Sequence, residues 1–179
     1  MNDDRRTVYE GQWLRMKLCG SWEYAERTND GGMAVIIIAV TPENNLVYVE
    51  QFRVPINCKT IEMPAGLVGD VHAGESLALA AERELLEETG WQAGHIEVLM
   101  TGPTSSGMSN ERVTFVRARD LTRMHAGGGD ASEDIIVHEV PVADAPRWLA
   151  QKMSEGYATD SKLWAGLWLL DRNPDGSPA

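Results

Sequence analysis

The stretch that most constrains this chain is Ser76–Thr89, which reads Ser-Leu-Ala-Leu-Ala-Ala-Glu-Arg-Glu-Leu-Leu-Glu-Glu-Thr. Almost every residue is a strong helix former, with Ser76 placed to cap the start and Gly90 to terminate the end. At about 100° per residue, Glu88 falls about 40° to one side of Glu84 and Glu87 about 60° to the other. Three carboxylates therefore share one strip of the helix, where like charges repel. A strip of this kind is a solvated face unless something nearby recruits it to hold cations.

Composition narrows the options. With 179 residues, 43% of them hydrophobic, the chain is expected to form one globular domain burying roughly two-thirds of its unfolded surface. Its formal net charge of −11 opposes broad contact with nucleic-acid phosphates or anionic lipid, so neither is expected as a partner. An anionic substrate would need a divalent cation or clustered arginines. The longest apolar run, residues 33–40, is far shorter than the roughly 20 residues of a membrane span. The polar start, Met-Asn-Asp-Asp-Arg-Arg, leads into no signal core, which points to a cytoplasmic address. Cys19 and Cys58 are too few and too far apart for a disulfide framework or a zinc site.

Coarse patterning predicts strands within residues 7–28, with a turn at Cys19-Gly20 and another at residues 28–32. Residues 33–41 read as a strand buried on both faces, and residues 46–54 as its partner across the turn at Pro42–Asn45. Short strands are expected at 96–100, 112–118 and 135–140, with helices near 142–154 and 160–171 and a frayed tail over 173–179. The segments 102–110 and 125–132 read as mobile loops. Strands and helices follow no strict βαβ rhythm, which favours an α+β arrangement with a mixed sheet flanked by helices. The histidines show no ligand spacing and read as surface or loop residues, and Trp164 and Trp168 as core or interface packing.

Around the helix the spacing is Gly69, five residues, Glu75, seven residues, then Arg83-Glu84-Leu85-Leu86-Glu87-Glu88-Thr89-Gly90-Trp91. This resembles the Nudix hydrolase box at every specified position. The resemblance implies an α/β/α sandwich around a mixed sheet, preceded here by an N-terminal β-hairpin-like segment. It divides the chain into 1–32 for dimerisation and base binding, 33–172 for the hydrolase domain, and 173–179 as tail. It further implies that Glu75 and Arg83 hold loop and helix together while Glu84, Glu87 and Glu88 ligate Mg²⁺, with Mn²⁺ as an alternative ion. Hard oxygen ligands on one helical face suit such ions, which would also offset the repulsion among the glutamates.

The resemblance extends over about residues 11–171 to the branch that hydrolyses ADP-ribose and nucleoside diphosphate sugars. Glu50-Gln51-Phe52-Arg53 and Ile61-Glu62-Met63-Pro64-Ala65-Gly66 resemble its segments, implying that Arg53 approaches the substrate and that the Ala65 carbonyl ligates metal. Gly11-Gln12-Trp13 and Ser21-Trp22-Glu23, with Arg27, resemble segments whose tryptophans sandwich the base in dimeric members, so a homodimer is implied. An indole face stacks on a purine with little base preference. Residues 106–111 resemble a loop that lends Met108 and Glu111 a substrate role, although Ser106 stands where the branch has proline. A second departure is the separation of Gly66 from Gly69, which usually coincide. The resemblance further implies a general base from the loop before a late strand ending in proline, here Pro141, which puts Glu133 in that role; it follows Gly127-Gly128-Gly129, a run that reads as a hinge. Asp130 and Glu139 compete for that role. The implied reaction is metal-dependent hydrolysis of the pyrophosphate bond to a nucleoside monophosphate and a sugar phosphate. A non-catalytic nucleotide-sugar sensor and a pyrophosphatase that removes damaged nucleoside triphosphates are the alternatives.

Overall fold

The computed structural model describes residues 4–28, 32–69, 74–129 and 134–179. Strands β1 (Arg5–Glu10), β2 (Leu14–Cys19) and β3 (Trp22–Arg27) form an antiparallel sheet whose turn at Cys19-Gly20 matches the sequence pattern. Two four-stranded sheets follow. One has the order β7-β4-β10-β9, built from β4 (Met33–Ala39), β7 (Ala65–Leu67), β9 (His95–Pro103) and β10 (Arg112–Arg119), with β4 and β10 parallel. The other has the order β12-β5-β6-β13, from β5 (Asn45–Arg53), β6 (Cys58–Glu62), β12 (Ile136–Pro141) and β13 (Ala158–Thr159), with β6 and β13 parallel. A small pair, β8 (Trp91–Gln92) and β11 (Thr122–Arg123), completes the strands among the described residues.

The β-branched run of β4 is shared by two cores. Ile36 and Ile38 face a cluster with Leu149 of α2 (Ala145–Ser154) and Leu163 of α3 (Lys162–Trp168). Val35, Ile37 and Ala39 face the opposite cluster, with Ala81 and Leu85 of α1 (Leu77–Thr89). Strand alternation thus sends successive side chains into different helical layers, which gives the expected α/β/α sandwich with mixed sheets.

Several local expectations change. Strand β5 is not the sheet partner of β4; after a single bridge between Val40 and Leu46 the two strands part into different sheets. Each is then enclosed by its own neighbours, which buries both faces of both strands. The helix expected from residue 142 begins as a 3-10 turn over Val142–Asp144, and α2 carries Pro146 in its first turn, where a missing N–H costs nothing. His138 is not a loop residue: it lies on β12 and meets Glu50 at 3.0 Å. Trp164 and Trp168 leave much of their surface exposed, and α3 buries Leu163 and Gly166 instead. Residues 173–179 close into a turn in which the Asn173 N–H donates to the Ser177 carbonyl at 2.8 Å. No helix among the described residues is long and apolar enough to cross a membrane.

Helix α1 has the ends its sequence specifies. Ser76 accepts the Leu79 N–H with its side chain, and Gly90 takes the left-handed conformation at φ 74°. A Cβ at Gly90 would lie 2.1 Å from the His125 carbonyl oxygen, so both the backbone angle and the close approach of the 125–129 loop demand glycine. Gly90→Ala is expected to lower stability by about 1–3 kcal/mol through this strain, read as a fall in the denaturation midpoint with an unchanged far-ultraviolet dichroism spectrum.

Candidate active site

Arg83 organises the acidic helix. Its Nε and Nη2 donate to the two carboxylate oxygens of Glu75 at 3.1 and 3.2 Å. Its Nη1 donates to Glu84 at 3.0 Å and to Glu87 at 3.2 Å, and Nη2 also reaches the Leu67 carbonyl at 3.3 Å. One planar guanidinium fork therefore joins the loop before the helix, strand β7 and two helix carboxylates. Glu75 and Glu84 are largely buried, and Glu87 is half exposed.

Glu88, one turn beyond Glu84, is 3% exposed, and its Oε2 accepts the Ala65 N–H at 3.0 Å. The next residue, Gly66, lies against Glu84: a Cβ there would fall 1.8 Å from the Glu84 carboxyl carbon. The Ala65-Gly66 backbone is thus flanked by both buried carboxylates, and the bare Cα of Gly66 makes the room for Glu84. This explains why Gly66 and Gly69 are separate here: Gly66 accommodates Glu84, while Gly69, at φ 81°, turns the chain after β7 and its N–H faces Glu75.

The donor set fits a hard divalent cation. Glu75, Glu84, Glu87 and Glu88 against Arg83 leave a formal charge of −3 on one helix edge, and Glu84 and Glu88 supply buried oxygens one turn apart. Among the described residues no three His, Cys, Asp or Glu side chains are already spaced as a coordination shell. Arg83 holds Glu84 and Glu87, and Glu88 accepts from the backbone.

The 125–129 loop is fastened to the end of this helix. The Gly128 and Gly129 N–H groups donate to the Glu88 and Glu87 carbonyls at 2.8 and 3.1 Å. Gly127, at φ 77°, sits where a Cβ would meet the Thr89 carbonyl carbon at 2.4 Å. The glycine run read as a hinge therefore serves close docking in this structure. Glu133 and Asp130, two of the three carboxylates considered as base, lie outside the described residues. The third, Glu139, accepts from Trp91 Nε1 at 3.1 Å and from Arg123 at 2.7 Å.

A cavity of about 310 Å³ opens beyond Ala65, and Arg27, Arg53, Glu62, Glu111, Asp160 and Lys162 line it. Their charges are paired. Arg27 meets Glu111 at 2.5 Å, Arg53 grips Glu62 through two hydrogen bonds of 2.7 Å, and Lys162 meets Asp160 at 2.5 Å. Burial alone would raise the Glu62 carboxyl pKa, but hydrogen bonds from Arg53 and Thr60 and the charges of Arg53 and Lys162 outweigh it and hold the group below its ordinary value.

Of the residues singled out in the sequence, Arg27, Arg53, Ala65 and Glu111 meet in this cavity. Trp13, Trp22, Glu23 and Met108 do not line it. Trp13 and Trp22 are 71% and 63% exposed, and Trp22 borders a separate shallow cavity with Arg5, Tyr24 and Ser106. Glu23 is exposed on β3, and the Met108 carbonyl accepts the Ala25 N–H at 2.8 Å, which ties the N-terminal sheet to the 104–111 loop. Glu62, Asp160 and Lys162 were not anticipated as site residues. A carboxylate between Ile61 and Met63 in a strand sequence was a usable sign for Glu62. For Asp160 and Lys162 the sequence carries no sign beyond their place at the start of a helix.

A model of the NUDIX domain family matches residues 31–159. The chain belongs to this family. Among curated relatives of this Nudix chain, the ADP-ribose pyrophosphatase of Bacillus subtilis is 35% identical over 63% of the chain and 60% of the relative. The methanol dehydrogenase activator of Bacillus methanolicus is 35% identical over 66% and 63%, and the GDP-mannose pyrophosphatase of Pectobacterium atrosepticum 30% identical over 74% and 68%. The chain thus spans about 60% of the length of the first two. A solved ADP compounds hydrolase shares the fold with a TM-score of 0.64 at 19% identity, over 86% of this chain and 92% of that one. Nudix pyrophosphatases generally use divalent metal ions, in keeping with the donor set described above.

Because Glu84 occupies the space a side chain at residue 66 would need, Gly66→Ala is expected to displace it. Divalent-ion affinity, titrated calorimetrically with Mn²⁺, should fall by about tenfold or more, while the fold survives.

Proposed function

We propose that this Nudix chain hydrolyses the pyrophosphate bond of ADP-ribose or a related nucleoside diphosphate sugar, releasing a nucleoside monophosphate and a sugar phosphate. The observation that carries this reading is the adjacency of two devices across Ala65: the Arg83-bound glutamate ladder and the charge-paired cavity. A ladder alone suits any diphosphate. The cavity beside it offers room and hydrogen-bonding groups for what the diphosphate carries. The ADP-ribose and GDP-mannose pyrophosphatases among the relatives support the same substrate class.

In this reading Glu84, Glu87, Glu88 and the Ala65 carbonyl hold Mg²⁺, with Glu75 and Arg83 fixing the helix and loop around them. When bound, the ion neutralises phosphate charge and lowers the pKa of water. Glu133 takes the proton of the attacking water as its oxygen bonds to phosphorus, and the bridging P–O bond breaks to leave the second phosphate as a monoester anion. Glu139 is disfavoured as the base because Trp91 and Arg123 already donate to it. Arg53, Arg27 and Glu111 orient the substrate in the cavity. Trp13, Trp22, Glu23 and Met108 lie outside it, and their part, the tryptophans stacking on the base, belongs to a site shared across the homodimer.

The exposed Val8, Tyr9, Trp13, Leu14, Met16 and Trp22 of the N-terminal sheet support a homodimer that covers this apolar surface. Both cysteines are free thiols, which suits a cytoplasmic address.

Incubation with Mg²⁺ and ADP-ribose, GDP-mannose or UDP-glucose, followed by chromatography of the products, tests the reading. Monophosphate and sugar phosphate are expected in equal amounts; intact ligand throughout would mark a sensor instead. Glu88→Gln should reduce turnover by about 10²-fold or more with an unchanged thermal midpoint, and retained turnover would remove Glu88 from the metal site.

A further inference from the structure

Three side chains that serve neither as ligand nor as substrate contact in the reading above meet beside the 125–129 loop. Trp91 follows the Gly90 cap of α1 and is only 6% exposed, so its indole N–H needs a partner; it donates to Oε1 of Glu139, on β12, at 3.1 Å. Arg123, which ends β11, donates to the same oxygen at 2.7 Å, and its guanidinium carbon lies 5.1 Å from the centre of a Trp91 ring. Trp91 and Arg123 are also direct register partners in the β8–β11 pair. The cluster therefore joins the exit of α1, the strand that leads into the loop and the strand that follows it. The loop between those strands is fastened to the last turn of α1. Arg123 Nη2 donates to the Ala126 carbonyl at 3.2 Å, and the Met124, Gly128 and Gly129 N–H groups donate to the Gly90, Glu88 and Glu87 carbonyls. On the return side the Ile135 N–H donates to the Gly128 carbonyl at 3.3 Å. The last carbonyls of a helix have no partner within it. Here loop amides supply the partners, and two of the carbonyls belong to residues whose carboxylates form the ladder.

We propose that Arg123, Glu139 and Trp91 are positioning residues for the divalent ion: clasped together, they hold the loop amides against the Glu87 and Glu88 carbonyls and so fix the turn whose carboxylates ligate it. This rests on the metal-site reading above and adds to it residues that do not touch the ion. A carboxylate is only as well placed as the backbone that carries it, and a helix end whose carbonyls lose their partners frays. Each member of the clasp depends on the others. Glu139 and the Trp91 ring hold the guanidinium where it reaches Ala126, and Arg123 balances the charge of Glu139. Removing one member releases the rest, so their effects are those of a single unit. The assignment also gives Glu139 a task other than proton transfer: it acts through where it holds the chain.

The test measures Mn²⁺ affinity calorimetrically, and ADP-ribose kinetics at saturating Mg²⁺, for wild type, Arg123→Ala, Glu139→Ala, the double variant and Glu139→Gln. Thermal melts verify that each is folded at the assay temperature. Each alanine variant should bind Mn²⁺ about tenfold more weakly. Its KM for ADP-ribose should stay within about twofold of wild type, because the clasp contributes no side chain to the cavity. The double variant should bind no more weakly than the more severe single one. Glu139→Gln keeps an oxygen for both donors and should recover most of the loss. A merely structural role would lower the melting midpoint and leave Mn²⁺ affinity unmoved. Affinity within about twofold of wild type in both alanine variants, additive losses in the double variant, or Glu139→Gln as weak as Glu139→Ala overturns the assignment. A Glu139→Gln protein that binds Mn²⁺ as wild type does yet has lost turnover makes Glu139 the base, which overturns it as well. A wild-type protein that binds no Mn²⁺ overturns the metal-site reading itself, which separates the two failures.

Discussion

The site depends on one guanidinium. Without Arg83, Glu75, Glu84 and Glu87 would lose the guanidinium they share, and the helix would lose its side-chain link to the Leu67 carbonyl of β7. With it, the loop before α1, the end of β7 and the helix form one hydrogen-bonded unit. A lysine could not do the same, because a single ammonium lacks the rigid fork that reaches three carboxylates and a carbonyl together. Arg83 leaves the ladder still strongly negative, and that residual charge is what makes a hard divalent ion a natural occupant.

The elements with strong local signals were readable without coordinates. Helix α1 follows from propensity and its two caps, β4 from its β-branched run, and the turn at Cys19-Gly20 from its glycine. What local pattern does not carry is pairing. Strand β5 looked like the partner of β4 because a turn joins them, yet sheet membership is decided by which faces need covering, and each strand has neighbours from distant sequence. Strand β7 is three residues long and was missed for a similar reason: Ala65-Gly66-Leu67 has no strand propensity and is held in register by β4 and by the Glu88 carboxylate.

The site divides along the same line. Helical spacing alone gives Glu84, Glu87 and Glu88 a shared face, and only the resemblance of the whole box assigns them, with Glu75 and Arg83, a role. Arg53 and Glu111 were legible only through resemblance, and the structure brings them to one cavity. Asp160 and Lys162 become visible only in the pairing of β6 with β13, which sets their segment beside Glu62. The reading of Gly127-Gly128-Gly129 shows how one residue type serves opposite ends. Glycine permits motion, but it also permits contact closer than any side chain allows, and here its amides fasten to the carbonyls of the very residues whose carboxylates form the ladder.

The two-sided burial of β4 reaches beyond packing. Val35, Ile37 and Ala39 serve the layer of α1, while Ile36 and Ile38 serve the layer of α2 and α3, so the two halves of the molecule have a spine in common. Detaching either helical layer would expose alternate residues of that spine to water and weaken the hold on the other. Melting should therefore be cooperative across the whole sandwich, and the acidic ladder on one side shares its thermal fate with the Asp160–Lys162 segment on the other.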